Sequence, residues 1–260
     1  MKILLTNDDG IHAPGLALLE RIAAELSEDV WVCAPAEEQS GAGHSLTLHQ
    51  PVRLRRHGDR RFSVTGTPTD SVNLALRKLF PDGQPDLVLS GINAGENLGD
   101  DVTYSGTISA AMEAALAGIP AIALSQSMDT GEALAGRRFE AAERWAARAL
   151  APLLDTRIDA RSVVNVNFPA LAADAVRGIR VVRQGFHDYR RGSLVEGTDP
   201  RGRSYYWFGL EGIEHTPDHG TDLEAVADGF VSVTPLQLDL THHAGMEALA
   251  NRFAITGGRG

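Results

Sequence analysis

The chain has 260 residues, of which 43% are hydrophobic, and its formal net charge is −10. This length and apolar content suffice for a large buried core, which excludes a globally disordered protein. The acidic balance argues against a protein that binds nucleic-acid polymers or anionic membranes through its overall charge. The single cysteine, Cys33, excludes an internal disulfide. No leader-like start and no apolar run of membrane-spanning length is present, so we expect a reduced, cytoplasmic protein.

The beginning of the chain predicts a βαβ unit followed by a hairpin. Residues 2–5, with an apolar run at 3–5, predict a buried strand, and apolar residues then recur at helical spacing over residues 15–26. Residues 30–34 form a second apolar run. A strand, a helix and a strand within about thirty residues indicate a parallel sheet. Residues 52–56 and 61–64 alternate in polarity and predict a hairpin whose arginines face solvent.

The rest of the chain continues the alternation of strands and helices. Further strands are predicted at residues 86–90, 121–125, 163–168, 179–183 and 231–234. Further helices are predicted at residues 68–79, 108–117, 134–154, 222–227 and 244–253. The first of these helices has a complete start signal, with Thr67 as N-cap, Pro68 at the first helical position and Asp70 closing a capping box. The pattern predicts one α/β domain over residues 1–260, with a mostly parallel sheet in a three-layer αβα sandwich.

Residues 185–217 differ from the rest of the chain in composition and periodicity. They are rich in glycine, aromatic and charged residues and show weak periodicity. This composition predicts an extended β arm on the single domain. Four consecutive aromatic residues would supply apolar contact for it: Tyr205, Tyr206, Trp207 and Phe208. Exposed aromatics on an arm usually pack against the body or against another subunit, so we expect the arm to serve oligomerisation.

Two adjacent carboxylates, Asp8 and Asp9, follow the first predicted strand. Ligands of parallel sheets bind at the carboxyl ends of the strands, where these side chains would lie. Two like charges this close repel each other, and a divalent cation between them is the simplest resolution. The alternative is an ordinary turn, because Asn-Asp-Asp-Gly is also good turn chemistry.

Polar loops after two other strands extend this site. Ser40 follows the second strand, and Asn93 follows the strand that ends near Ser90. If these strands are neighbours, Asp8, Asp9, Ser40 and Asn93 gather at one edge of the sheet. All four supply oxygen ligands, which suit Mg²⁺, Mn²⁺ or Ca²⁺ and are poor for zinc.

Ser105, Gly106 and Thr107 stand at the start of a predicted helix. Free backbone N–H groups and the helix dipole favour a phosphate at such a position, and Gly106 would let the backbone approach it closely. An ordinary serine or threonine N-cap explains the same residues. No Gly-Lys-Ser/Thr phosphate loop is present, and no Gly-x-Gly-x-x-Gly follows the first strand, so neither nucleotide-binding fingerprint applies.

Several separated motifs in order carry a resemblance that covers essentially the whole chain. They are residues 7–10, 40–47, 66–70, 90–95 and 97–107. In these motifs the sequence resembles the SurE family, the survival-protein nucleotidases. The resemblance implies a Rossmann-like sheet, and dimers or tetramers built partly by C-terminal arms. It also implies a divalent-metal-dependent phosphatase acting on nucleoside 5′- and 3′-monophosphates.

The resemblance also implies roles for individual residues. Asp8, Asp9, Ser40 and Asn93 would bind one divalent cation per subunit. Asn97, Ser105, Gly106 and Thr107 would surround the phosphate.

Two catalytic schemes remain open for Asp8 and Asp9. In one, a carboxylate orients or deprotonates the attacking water, and in the other an aspartate attacks the phosphorus directly. His44 is either a proton donor to the leaving group or, more simply, a surface loop residue. Two other functions compete with nucleotidase activity: a phosphatase for short polyphosphate or other small phosphate esters, and a nucleotide-sensing protein without catalysis.

Overall fold

The computed structural model describes residues 1–128, 139–187, 193–209 and 219–256. The strands are β1 (Lys2–Thr6), β2 (Asp29–Pro35), β3 (Leu54–Gly58), β4 (Arg61–Val64), β5 (Leu87–Ala94), β6 (Ala121–Gln126), β7 (Ser162–Phe168), β8 (Ile179–Val181), β9 (Ser193–Thr198), β10 (Ser204–Gly209) and β11 (Val231–Gln237). The helices are α1 (Pro14–Leu26), α2 (Pro68–Lys78), α3 (Gly106–Leu116), α4 (Glu140–Leu154), α5 (Asp222–Ala227) and α6 (His243–Thr256). A short 3₁₀ helix covers Gly99–Thr103.

Nine of these strands form one sheet in the order β3-β4-β2-β1-β5-β6-β7-β11-β8. The six strands from β4 to β7 in this order are mutually parallel. At one edge β3 is antiparallel to β4, and on the other side β11 is antiparallel to β7. The parallel centre places the carboxyl ends of β1, β2 and β5 side by side, so the loops that follow these strands meet at one edge.

The sheet is buried on both faces, which explains the uninterrupted apolar runs of its central strands. On one face, α1 and α4 pack over alternate residues such as Ile3 and Leu5 of β1. On the other face, α2 and α3 cover Leu4 and the thiol-bearing Cys33. Burial raises the pKa of the Cys33 thiol to about 12, as suits an inert core residue. The predicted α/β fold with three layers is confirmed.

The boundaries differ from the predicted ones at places that matter for the site. β5 continues four residues past Ser90, to Ala94, and its pairing with β6 shifts between Ser90 and Asn93. Gly91 permits this because its φ is +137° and a Cβ there would lie 2.2 Å from the Leu124 carbonyl oxygen. The helix predicted from residue 108 begins two residues earlier, at Gly106.

Other predicted elements agree closely with the structure. The capping box of α2 is present, with the Thr67 side chain accepting from the Asp70 N–H and the Asp70 side chain from the Thr67 N–H. The hairpin forms as β3 and β4, and β3 is exposed along its whole length. The first residues of the helix predicted at 134–154 fall outside the described residues, and α4 covers the remainder.

The predicted arm is described in part. β9 and β10 form an antiparallel pair separate from the main sheet. The rest of the predicted arm, at residues 188–192 and 210–217, lies outside the described residues. No helix in the described part of the chain is long and apolar enough to cross a membrane.

Candidate functional site

The loop after β1 forms a turn whose side-chain hydrogen bonds are made by Asn7 and not by the carboxylates of Asp8 and Asp9. The Asn7 side chain closes the turn, with Nδ2 donating to the Gly10 carbonyl oxygen at 2.9 Å and Oδ1 accepting from the Gly10 N–H at 3.2 Å. The turn predicted from Asn-Asp-Asp-Gly is therefore present. Because Asn7 supplies the turn contacts, Asp8 and Asp9 remain available for other chemistry.

Asp8 lies almost completely buried against the first turn of α3. Only 4% of the residue is exposed, and its Oδ1 accepts a hydrogen bond from the Thr107 hydroxyl. A Cβ on Gly106 would lie 2.7 Å from the Asp8 Cβ and 2.9 Å from its Oδ2, so only glycine fits there. Burial, opposed by the Thr107 hydrogen bond and reinforced by the charge of Asp9, raises the pKa of Asp8 to about 6.

Asp9 faces the extension of β5. Its Oδ2 accepts a hydrogen bond from the Ala94 N–H at 3.1 Å, which brings the Asp9 carboxylate next to Asn93. The Asn93 Nδ2 donates to the Gly95 carbonyl oxygen at 2.8 Å. This bond orients the side-chain amide, so that Oδ1 is the atom it can offer to a cation. The structure thus brings Asp9 and Asn93 to one place.

Ser40 lies at the rim of the site. The Gln39 N–H donates to the Asp8 carbonyl oxygen at 2.8 Å, so Ser40 is one residue from a direct contact with Asp8. The Ser40 side chain is exposed, and its hydroxyl donates to Glu38 Oε1 at 2.9 Å. The hydroxyl oxygen keeps lone pairs for a cation, because a hydroxyl accepts as well as donates.

Ser105 is the N-cap of α3, as the simpler interpretation of the sequence proposed. Its Oγ accepts from the Ile108 N–H at 3.1 Å. The Thr107 hydroxyl donates to Asp8 and the Thr107 N–H also interacts with that carboxylate, so the group at this helix start that best suits an oxyanion is the backbone N–H of Gly106. The anion-binding and capping interpretations are compatible, because they use different atoms.

Asn97 lies on the far side of the site, over the carboxyl ends of β6 and β7. Its Nδ2 donates to the Ser125 Oγ at 2.8 Å, and its N–H donates to the Asn167 Oδ1 at 2.8 Å. Its carbonyl oxygen accepts from Asn165 and Asn167 at 2.8 and 3.2 Å. The side-chain NH₂ has a second hydrogen, which is available to a phosphate oxygen. Asn97 and Ser105 are linked by the intervening 3₁₀ helix.

The chemistry of these side chains fits a hard cation. Among the described residues no lysine or arginine forms an ion pair with Asp8, so its buried carboxylate has no compensating positive charge. Within the same described ranges no three His, Cys, Asp or Glu side chains cluster as a metal site. A cation here would therefore need neutral oxygens from Ser40 and Asn93 beside the two carboxylates, a set suited to Mg²⁺ or Mn²⁺.

His44 pairs with a side chain of α3. Its Nε2 is 3.1 Å from Glu113 Oε2, and the hydrogen bond from His44 lowers the pKa of Glu113. Glu113 is seven residues beyond Gly106 on α3, about 10 Å along the helix axis. This position matches a loop residue that pairs with the side of α3.

Three buried polar residues that contact the site were missed in the sequence analysis. Ser125, Asn165 and Asn167 are fully buried and all contact Asn97. The sequence analysis predicts residues 121–125 and 163–168 only as strands of the sheet and assigns no role to their polar side chains. The available signal was the pair of asparagines at alternate positions of an otherwise apolar strand.

Comparisons with known proteins agree with this geometry. The family model described as "Survival protein SurE" matches residues 3–191. The chain belongs to the SurE family. The 5′-nucleotidase SurE of Erythrobacter litoralis is 66% identical over 255 residues, which cover 97% of this chain and 100% of that relative. The 5′-nucleotidase SurE of Rhizorhabdus wittichii is 58% identical, with 95% of this chain and 98% of the relative covered.

A solved structure supports the same assignment. The crystal structure of the SurE protein from Aquifex aeolicus superposes with a TM-score of 0.80 at 40% identity, covering 95% of this chain and 98% of that one. The family resemblance seen in the sequence is thereby confirmed, and the SurE fold is shared over nearly the whole chain.

Proposed function

We propose that this SurE chain is a divalent-metal-dependent phosphomonoesterase that hydrolyses nucleoside 5′- and 3′-monophosphates to nucleoside and phosphate. The full-length relatives from Erythrobacter litoralis and Rhizorhabdus wittichii carry the name 5′-nucleotidase SurE. The observation in this chain that carries the proposal is the contact between the buried Asp8 carboxylate and the first turn of α3. This contact supports the proposal, because the carboxylate proposed to bind the cation lies directly beside a helix start that favours an oxyanion.

The proposed cation ligands are Asp8, Asp9, Ser40 and Asn93, with one Mg²⁺, Mn²⁺ or Ca²⁺ per subunit. Asp8 and Asp9 belong to one loop, Asp9 is tied to the backbone next to Asn93, and Ser40 follows a residue bonded to Asp8. When bound, a divalent cation neutralises phosphate charge and lowers the pKa of coordinated water.

The protein groups have separate tasks in this proposal. Asp8 is buried and fixed by Thr107, which suits a ligand that must not move. Asp9 is only half-buried, which suits it to orient and deprotonate the attacking water. The Gly106 N–H and the Asn97 side chain would donate to phosphoryl oxygens, where negative charge is concentrated during transfer, while Thr107 lines the phosphate site and fixes Asp8.

We further propose that the subunits assemble as a homodimer or homotetramer through the arm and α6. The β9–β10 pair exposes Leu194, Val195, Trp207 and Phe208, and Phe208 is 90% exposed. Along α6, the exposed side chains of Met246, Leu249 and Phe253 recur at helical spacing and form an apolar stripe. Both surfaces have the aromatic and methionine content typical of interfaces. The cytoplasmic location stays a prediction.

The test is phosphate release by the purified protein from 5′-AMP, 3′-AMP, a sugar phosphate and tripolyphosphate. We expect nucleoside monophosphates to be turned over fastest, EDTA to abolish release, and added Mn²⁺ or Mg²⁺ to restore it. Asp8→Asn should lower kcat/KM by at least about 10²-fold, because a metal ligand and a fixed charge are lost. Asp59→Asn, at an exposed hairpin position, is the matched control and should retain activity.

Three results would contradict the proposal. Faster turnover of tripolyphosphate or the sugar phosphate would point to another phosphatase. Nucleotide binding without phosphate release would indicate a sensor. Full metal-dependent turnover by Asp8→Asn would remove Asp8 from the site.

A further inference from the structure

Two asparagines lie in the interior of the sheet, where the sequence of β7 is otherwise apolar. Asn165 and Asn167 are both 0% exposed, and they alternate with Val164, Val166 and Phe168. Because strand residues two apart share a face, both carboxamides lie on the same side of β7. Burial of a carboxamide costs free energy unless its hydrogen bonds are made, so their position needs a physical reason.

Both carboxamides are directed at one residue outside the strand. Asn167 accepts from the Asn97 N–H at 2.8 Å and donates to the Asn97 carbonyl oxygen at 3.2 Å. Asn165 donates to the same carbonyl oxygen at 2.8 Å. The peptide groups on both sides of the Asn97 Cα are therefore held by side chains of β7, and the backbone of this loop residue is fixed against the sheet.

A third residue fixes the side chain of Asn97. Ser125 lies opposite Asn167 in the parallel pairing of β6 and β7. Its Oγ accepts from the Asn97 Nδ2 at 2.8 Å. One hydrogen of the NH₂ group is thus used, and the direction of the other is set by the same bond.

The arrangement is costly as a purely structural device. The Asn165 Oδ1 is buried without a hydrogen-bond partner. Burial of this unsatisfied acceptor lowers the free energy of unfolding. A well-packed apolar residue in its place would avoid that cost. What the three side chains achieve together is a loop residue held at its N–H, its carbonyl oxygen and its side-chain nitrogen.

We propose that Ser125, Asn165 and Asn167 are positioning residues for the reaction, which hold Asn97 so that the free N–H of its side chain meets a phosphoryl oxygen. The inference rests on the proposed function, because it assumes that Asn97 binds the phosphate. None of the three touches the substrate, and each acts through Asn97. Displacement of a positioned group by about 1 Å can lower a rate by about 10²-fold. Residues that never touch the substrate can therefore have a large effect on kcat.

The experiment compares Asn167→Ala, Asn165→Ala and Ser125→Ala with Val166→Ala, using the metal-loaded full-length protein and 5′-AMP. Val166 is equally buried on the same strand but belongs to the cluster on the opposite face. We expect kcat to fall by about 10- to 100-fold in Asn167→Ala, with KM and Mn²⁺ affinity little changed. Ser125→Ala and Asn165→Ala, which each remove one hydrogen bond, should show smaller falls. Val166→Ala should lose stability without loss of kcat.

A double-mutant cycle with Asn97→Ala separates positioning from a general loss of structure. If Asn167 acts through the Asn97 side chain, Asn167→Ala should lower kcat much less in the Asn97→Ala background than in the wild type. Should Asn167→Ala fail to fold, the same cycle with Ser125→Ala gives the decision, since it removes only a hydroxyl.

Each outcome has a defined meaning. Three outcomes would overturn the inference and leave the proposed function intact. The first is a wild-type kcat in Asn167→Ala or in Ser125→Ala, and the second is an equal loss of kcat in Val166→Ala. The third is an undiminished effect of Asn167→Ala on kcat in the Asn97→Ala background. Absence of phosphate release by the wild type would overturn the proposed function and the inference with it. Full activity of Asn97→Ala alongside an active wild type would remove Asn97 from the phosphate site, and the positioning role with it.

Discussion

At the scale of single residues, burial of the Asp8 carboxylate is costly to the protein when the proposed cation is absent. A carboxylate with 4% exposure and no described ion pair loses hydration, which the hydrogen bond from the Thr107 hydroxyl replaces only in part. Its pKa rises to about 6, so folding favours the protonated acid. The contribution of Asp8 to stability is therefore fully present below about pH 4 and is lost as the pH rises through about 6.

We expect Asp8→Asn to stabilise the protein in EDTA at pH 7 by about 1–3 kcal/mol, because asparagine needs no ionisation. The advantage should shrink by about two-thirds at pH 4.5, where the folded carboxyl is protonated and the unfolded one only in part. Urea unfolding at the two pH values measures it, with Asp59→Asn as the exposed control. Equal stability of the wild type and Asp8→Asn at pH 7 would show that the Asp8 carboxylate is not strained by burial.

Gly106 lets the first turn of α3 pack closely against Asp8, because it has no side chain. We expect Gly106→Ala to abolish most activity and to destabilise the protein by about 1–3 kcal/mol, because the new methyl group meets Asp8 Cβ at 2.7 Å. Gly58→Ala is the matched control, since a Cβ there finds only the Arg61 Cβ at 3.7 Å. Kinetics and urea unfolding on both variants give the comparison. An active, stable Gly106→Ala protein would refute the close packing of α3 on Asp8.

Residue types and strand ends were enough to predict from the sequence where Asp8, Asp9 and Ser105 lie in the fold, while their roles in the site stay predictions. Asp8 and Asp9 stand out because adjacent carboxylates after a strand are costly, and Ser105 because a serine before a helix is a good N-cap. The bond from Thr107 to Asp8 was not predictable, since it depends on which face of α3 turns toward β1. The contacts of Asn165 and Asn167 were equally hidden, because β7 is distant in sequence from residue 97.

At the scale of elements, Asp222 ties the loop at residue 99 to the start of the arm. It is 0% exposed and accepts from the N–H groups of Gly99 at 3.0 Å, Gly185 at 2.8 Å and Leu223 at 3.0 Å. Gln184 adds a bond to the Gly99 carbonyl oxygen at 2.8 Å. One buried carboxylate thus joins α5, the root of the arm and the 3₁₀ helix that leads into α3.

Removal of this carboxylate should loosen all three segments. We expect Asp222→Ala to lower the free energy of unfolding by about 2–4 kcal/mol, because three backbone N–H groups lose their acceptor in a buried place. Hydrogen exchange at Gly99 and Gly185 should speed up. Asp228→Ala, at the other end of α5 with an exposed ion pair to Arg180, should cost at most about 1 kcal/mol. Similar losses in the two variants would contradict the role of Asp222.

Element boundaries were predictable where local chemistry decides them. The start of α2 has a full capping signal, and the structure places it there. The extension of β5 to Ala94 was not predictable, because it depends on pairing with β6 across a register shift at Gly91. This extension matters for the proposed site, since it carries Asn93 and Ala94 alongside Asp9.

At the scale of the whole molecule, the exposed apolar surfaces suggest assembly. A two-stranded ribbon is marginal by itself in water, and β9–β10 carries large apolar side chains that are mostly exposed. We expect the double substitution Trp207→Ser and Phe208→Ser to shift the protein toward smaller species in light scattering coupled to gel filtration. Leu54→Ser, on the edge strand β3, is the control and should leave the mass unchanged. A monomeric wild type would refute the assembly proposal.

The alternation of strands and helices sufficed to predict the class of the fold and its parallel centre. It did not predict the strand order β7-β11-β8 at one side of the sheet, because β11 is distant from β7 in the sequence. β11 pairs with β7 on one side and β8 on the other. No local pattern indicates such an insertion.

The internal place of β11 has a consequence for synthesis on the ribosome. Residues 231–237 must leave the exit tunnel before β8 has a neighbour and before the flank of β7 is covered. Until then a growing chain presents the unpaired edge of β7, the same strand whose asparagines hold Asn97. The edge of β7 is therefore exposed from the synthesis of residue 168 until β11 follows at residues 231–237, and a message truncated shortly before codon 231 would yield a product prone to aggregation.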